Sequence, residues 1–272
     1  MSAATADSMP VLSPASWPRI GIIGAGRLGS ALALAMLERG LPRDSLVLGT
    51  RGGAESRARL ESAGLAGRIA PREEVEGAEV LVVAVRPQSI AGLGPVELKD
   101  GASAAFCVAG LRLAAARRIA GHGAARMMTS GPDTILVGRG VAAVCPGDSP
   151  ATTLLERAGL DVARVPDDAS IDAFTAAVCM PAVLAMDGEA AIEGLESLAS
   201  ELPDLARVFR WAPSILPAFS SSAERDAYVD RMVTPGGVTE RVVGAFRSGR
   251  GVRDAFYAGL ARAAELGEAA LG

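Results

Sequence analysis

The chain has 272 residues, half of them hydrophobic, with a mean hydropathy of +0.30 and a net charge of −4. That length suits one large domain or two ordinary ones, and the slightly acidic balance leaves no electrostatic footprint for nucleic acid. The three cysteines, at 107, 145 and 179, form neither a metal pattern nor a disulfide framework, and a His-based metal site or Ser-His-Asp triad would have to be built around His122 alone.

Residues 1–18 carry three prolines and no basic stretch leading into an apolar core. They are expected to form a disordered tail rather than a signal peptide. Ile20 to Ile23 follows as a short apolar run, read as a buried strand. It ends in Gly24-Ala25-Gly26-Arg27-Leu28-Gly29, and an Ala/Leu-rich helix pattern continues to Leu37. This spacing has a physical cause. Gly24 permits the tight turn off the strand, Gly26 lets a pyrophosphate approach the backbone, and Gly29 lets the helix pack close to the strand. Free N–H groups at the helix start then face the phosphates. With strand before and helix after, the glycines predict a dinucleotide site that includes Arg27 and Leu28.

A second strand, Leu46 to Gly49, ends at Thr50-Arg51-Gly52-Gly53, with a helix from about Ala54 to Ala63. An NAD site usually has an acidic residue at this strand end for the ribose 2′-hydroxyl. Here Thr50 offers a hydroxyl and Arg51 a cation, which suits a 2′-phosphate and predicts NADPH in preference to NADH. Glu79 to Val85 is the most apolar strand, as expected for one buried on both faces of a parallel sheet. Ligands of open α/β sheets sit beyond the carboxyl ends of strands, so Ala84, Val85 and Pro87 are expected near the nicotinamide ribose. Further strands are read at Ser103–Val108, Ala125–Met128, Val141–Val144 and Val162–Val165, with helices at Leu111–Ala120 and Ala151–Ala158.

From Asp168 the pattern is helical, with breaks at Pro181, Pro203, Pro213 and Pro217. The change predicts a boundary near Pro166-Asp167: a Rossmann-type dinucleotide-binding domain over 19–166 and an all-α C-terminal domain over 167–272. Ile171 to Ala191 is read as one long helix kinked near Pro181. No apolar run is read as long enough to span a membrane. Thr234-Pro235 reads as a helix start, and Val252 to Leu271 as the last helix.

Five pieces now stand in order: Gly24-x-Gly26-x-x-Gly29, Thr50-Arg51, Ala84-Val85-Arg86-Pro87-Gln88, Val108-Ala109-Gly110, and Val233-Thr234-Pro235-Gly236-Gly237-x-Thr239. Together they resemble the pyrroline-5-carboxylate reductase family, as a divergent member. The resemblance implies NAD(P)H-dependent reduction of a cyclic imine to proline; the scattered cysteines, for their part, predict a reducing compartment, the cytoplasm. It implies a C-terminal domain that forms an interlocked homodimer, alone or within an oligomer of dimers. It places the substrate carboxylate at the Pro-Gly-Gly helix start, on Thr234, Gly236, Gly237 and Val238, and Thr239 near the imine nitrogen as the catalytic residue. The chemistry agrees: N–H groups of Gly236, Gly237 and Val238 at a helix N-terminus are expected to be open to a carboxylate.

There are departures. Thr234 stands where the family has Ser. Met128-Thr129-Ser130-Gly131-Pro132-Asp133 replaces a Met-Pro-Asn-Thr-Pro block, and Ala177-Val178-Cys179-Met180-Pro181-Ala182 replaces Ser-Gly-Ser-Gly-Pro-Ala. The expected substrate is therefore a small imino acid, of which the proline precursor is one. Two alternatives stand beside it. One is a β-hydroxyacid or other carbonyl dehydrogenase, whose catalytic lysine would have to be Lys99, the only lysine. The other is an NADPH-binding protein without catalysis. His122 reads as a surface-loop residue and Cys179 as a small packing residue. No metal is expected. The C-terminal helices are apolar on more than one face, as in Val242 to Phe246 and Phe256 to Leu260, with Gly244, Ala245, Ala258 and Gly259 allowing close approach. That predicts cover by a second copy of the chain.

Overall fold

The computed structural model describes residues 16–51 and 53–269. Most of the expected tail lies outside them. Within them, Arg157 donates to Ser16 O (2.7 Å) and its guanidinium sits 4.0 Å over the Trp17 ring.

Seven strands form one sheet: β1 (Ile20–Ile23), β2 (Leu46–Gly49), β3 (Val80–Val83), β4 (Ser103–Phe106), β5 (Ala124–Thr129), β6 (Val141–Cys145) and β7 (Asp161–Arg164). Their order is β2-β1-β3-β4-β5-β6-β7. β1 pairs with β2 on one side and β3 on the other, both parallel, which makes the carboxyl end of β1 the topological switch point. β6 runs antiparallel to β5, whereas every other neighbouring pair is parallel. The connection 130–140 holds only one short helix. It falls short of the roughly dozen residues that a parallel crossover needs. β3 is buried along its whole length, as its composition predicts, but pairs over fewer residues than its apolar run.

The helices of the first part are α1 (Arg27–Glu38), α2 (Ala54–Ser62), α3 (Arg72–Glu76), α4 (Leu113–Ala120), α5 (Pro132–Leu136) and α6 (Pro150–Arg157). Those that follow the sheet are α7 (Asp168–Ala177), α8 (Met180–Met186), α9 (Gly188–Glu201), α10 (Ala206–Ser214), α11 (Ser222–Met232), α12 (Val238–Arg247) and α13 (Val252–Ala269). Asp167 caps α7, accepting from Ser170 N at 2.8 Å. The single kinked helix expected over 171–191 is three helices. Pro181 has no N–H to give Ala177 O, so the chain turns at Val178-Cys179 and restarts with Pro181 in the first turn of α8. It breaks again at the extended Asp187.

Contrary to the sequence reading, one helical run among the described residues is long and apolar enough to cross a bilayer by length and composition alone: Asp168–Met186, 19 residues with mean hydropathy 1.7. It is 78% buried inside the molecule, as a core helix is.

An ion cluster ties this core helix to the sheet. Arg126 of β5 is fully buried and donates to Asp168 Oδ1 (2.7 Å), Asp168 O (3.1 Å) and Asp172 Oδ1 (2.6 Å). Arg112 donates to the other Asp172 oxygen at 2.7 Å, and Leu113 N donates to Asp168. The C-terminal helices are covered largely by their own chain. α13 packs on α7, α9 and α12, and Phe256 meets Phe209 edge-on at 5.5 Å. Among the described residues only Ile69, Leu136, Val137 and Ile192 are large exposed hydrophobics. These helices thus bury much of their apolar surface against their own chain among the described residues. Gly259 is used internally, where a Cβ would come within 2.4 Å of Val242, while Gly244 faces open space.

Candidate active site

The glycine loop is closed by backbone hydrogen bonds. Gly24 N and Ala25 N both donate to Gly49 O (3.0 and 3.2 Å), and Gly26 N donates to Gly24 O (2.7 Å). α1 starts at Arg27 with Gly26 as N-cap and no side-chain cap, so its first N–H groups face outward. Gly24 has φ +94°, and a Cβ there would lie 2.5 Å from Ala84 O. A Cβ on Gly29 would lie 2.4 Å from Gly24 O. Gly26 is different: a Cβ would meet nothing nearer than 4.0 Å. Packing explains glycine at 24 and 29 but not at 26. The open space over Gly26, beside unsatisfied N–H groups, fits a pyrophosphate.

The other expected cofactor residues converge on the same edge. Ala84 N donates to Ile23 O at 2.8 Å, which holds Ala84 and Val85 against Gly24. Pro87 opens a short 3-10 turn, Pro87–Ser89. Thr50 and Arg51 follow β2, and exposed Arg51 donates to Ser89 O at 3.3 Å. Arg27 is exposed, 4.0 Å from Asp133 at the start of α5. Leu28 packs half-buried against the core, so it offers a ligand its backbone N–H rather than its side chain.

The Thr234–Thr239 segment differs from expectation. The helix does not start at Pro235. Thr234 to Gly237 form a turn, with Gly237 N donating to Thr234 O at 2.8 Å, and α12 begins at Val238. Gly236 N donates to Glu240 Oε2 at 2.8 Å, so the helix's own carboxylate reaches back over its start, as in a capping box. Gly236 O accepts from Arg262 at 2.8 and 3.0 Å. Two of the three amides expected to be open are thus satisfied internally. The N–H groups of Val238, Thr239 and Glu240 are the ones without a hydrogen-bond partner among the described residues. A cavity of about 230 Å³ adjoins this turn, bordered by Gly237, Glu240, Arg241 and Arg262.

Cys179, read as a packing residue, is buried but lies 3.3 Å from Thr239 Oγ1. The two are sixty positions apart, and only the packing of α12 on α7 and α8 joins them. Burial pushes the thiols of Cys107 and Cys179 up to about 11, from 9.0. A folded-state pKa raised in this way contributes stability fully below pH 9, and the contribution is lost as pH rises toward 11. The melting temperature is therefore expected to fall more steeply between pH 9 and 11 in the wild type than in a Cys107→Ala/Cys179→Ala double variant. Equal slopes would show that the thiols do not titrate with unfolding.

Lys99 and His122 are both exposed and lie on turns that lead into β4 and β5, at the amino ends of the strands. The glycine loop is at the carboxyl ends, so neither joins this site.

Residues 19–100 match the family model described as NADP oxidoreductase, coenzyme F420-dependent. No curated protein matches the sequence. Among solved structures, the chain is similar to Plasmodium falciparum pyrroline carboxylate reductase with NADP bound, at 19% identity and TM-score 0.57, over 92% of this chain and 98% of that one. It is similar to 1-pyrroline-5-carboxylate reductase from Streptococcus pyogenes at 18% identity and TM-score 0.58, over 91% and 98%. It also resembles prephenate dehydrogenase from A. aeolicus in complex with NAD+, at 12% identity and TM-score 0.53, over 95% and 87%. The chain thus has a Rossmann-like dinucleotide-binding domain followed by a helical region, in the fold of the pyrroline-carboxylate reductases.

Proposed function

We propose that this protein is an NADPH-dependent reductase of a carbon–nitrogen double bond in a small imino acid. The observation that carries the reading is the Thr239 hydroxyl, set one residue from the start of α12 beside amides open to a carboxylate, in a chain whose glycine loop leaves room for a pyrophosphate over Gly26. The cofactor, when bound, supplies the hydride for the imine carbon. The chain's own residues position: the Val238 to Glu240 amides take the substrate carboxylate, and Thr239 meets the nitrogen. Holding two reactants in register is itself a large part of such catalysis, and it suits a site without histidine. The direct test is NADPH oxidation with 1-pyrroline-5-carboxylate and a panel of related imino acids. Turnover only with hydroxyacids or ketoacids would assign a carbonyl dehydrogenase instead, and tight NADPH binding with no turnover a non-catalytic protein.

NADPH specificity rests on Arg51. A guanidinium beside a 2′-phosphate makes charge-assisted hydrogen bonds of roughly 1.5–3 kcal/mol each. In the cofactor-bound protein Arg51 would exchange its contact with Ser89 O for the phosphate. Arg51→Ala is expected to raise the Kd for NADPH about ten-fold or more and to leave NADH nearly unchanged, by fluorescence titration. Equal losses for both would remove this role.

A homodimer, alone or within a larger oligomer, is part of the same proposal. Its support is the open groove along α12 and α13, where Gly244, Ala258 and Ala261 border about 390 Å³ and small side chains would let a helix of a second copy approach. Light scattering at micromolar concentration tests it, and a fully active monodisperse monomer would refute it. Reduced, buried cysteines at 107, 145 and 179 support placing the protein in the cytoplasm.

A further inference from the structure

The break between α7 and α8 decides how one hydroxyl in the candidate site is polarised. In an unbroken helix Thr175 O would accept from Cys179 N. Here Cys179 N turns to Ala176 O (3.2 Å), and the Cys179 thiol donates to Thr175 O (3.2 Å) in its place. A thiol has one hydrogen. With that hydrogen committed to Thr175 O, the sulfur can only accept at its second contact, the one with Thr239 Oγ1 at 3.3 Å. The Thr239 hydroxyl therefore donates inward to sulfur and turns its lone pairs outward. Burial keeps the thiol protonated at neutral pH, so the arrangement does not change with ordinary buffers.

We infer that Cys179 is a positioning residue that fixes Thr239 as a hydrogen-bond acceptor, so that the site selects ligands presenting an N–H at this point, an iminium or a protonated amine, over ligands presenting only a lone pair. The inference rests on the imine-reductase reading and deepens it. Its chemical consequence is economical. An iminium already carries the proton on nitrogen, taken from solvent. Its carbon takes the hydride, the π pair moves onto nitrogen, and a neutral secondary amine results without a protein acid. A carbonyl oxygen at the same point would need a donor, which Thr239 does not offer.

The test is calorimetric titration of the enzyme–NADP+ complex with L-proline, which presents N–H groups, and with cyclopentanecarboxylate, which has the same ring size and carboxylate but none. The wild type is expected to bind proline more tightly. Cys179→Ala removes the sulfur acceptor, frees the hydroxyl to rotate, and should shrink the preference about five-fold. Cys179→Ser, which can donate to Thr175 O and accept from Thr239, should restore it. A Cys179→Ala variant that weakens both ligands equally would reduce Cys179 to packing and overturn the inference. So would a wild type that binds both ligands alike while reducing imines. Absence of binding by either ligand together with absence of imine turnover would instead remove the imine-reductase reading, and this inference with it.

Discussion

Replacing Arg126 by alanine is expected to cost about 3–5 kcal/mol of stability, the usual penalty for removing one partner of a buried ion cluster. Arg126 is fully buried, and the Asp172 side chain is only 4% exposed. Without the guanidinium, Asp172 keeps Arg112 alone, and Asp168 keeps Leu113 N but loses its charge partner. The loss is chiefly the cost of leaving carboxylates desolvated, rather than the net worth of the pair. Removing both sides should therefore cost less than the sum: Arg126→Met with Asp172→Leu is expected to regain a large part of what either single change loses. Chemical denaturation of the two single variants and the double variant closes the cycle. An Arg126→Ala loss below about 1 kcal/mol would show that water already reaches the cluster. Because the cluster joins β5 and the start of α4 to α7, it also sets where the helical region sits on the sheet.

The parts of this fold legible in the sequence are those whose causes are local. The strand–glycine–helix opening, the apolar β3 and the change to a helical pattern after Pro166 follow from spacing and composition within a few residues. The parts that were not legible have non-local causes. The direction of β6 depends on the length of a connection, which strand composition does not encode. The break at Asp187 has no proline to announce it. The covering of α13 by α7, α9 and α12 could not be inferred from the length of the C-terminal segment.

In the candidate site, the glycine loop and the start of α1 lie where the sequence reading put them, while α12 starts three residues beyond the expected Pro235. Pro235 looks like a first-turn proline, yet the turn ahead of α12 consumes Gly236 and Gly237. The signal was present: Glu240 stands three residues after Gly237, the spacing at which a carboxylate reaches back over a helix start. The Cys179–Thr239 contact had no local signal at all.

The glycine loop separates an effect on cofactor binding from an effect on stability. Gly26→Ala should leave the fold intact and weaken cofactor binding. Gly26 has φ −80° and ψ −157°, extended backbone that alanine adopts without strain, and its added Cβ would meet no protein atom nearer than 4.0 Å. The expected change in stability is within about 0.5 kcal/mol. The same methyl projects into the space read as the pyrophosphate path. Overpacking there costs about 1–3 kcal/mol, so the Kd for NADPH should rise roughly ten- to a hundred-fold. Gly24→Ala and Gly29→Ala should behave in the opposite way. Their methyls would lie 2.5 and 2.4 Å from backbone oxygens that cannot rotate aside, so the apo protein itself should be destabilised. Thermal melts without and with saturating NADPH distinguish the two cases, since a ligand that binds only the folded state raises the melting temperature. Gly26→Ala should melt with the wild type when free and show little NADPH-induced shift, whereas the other two variants should melt early even without cofactor. A Gly26→Ala variant that retains the full shift would mean that the dinucleotide does not cross this glycine.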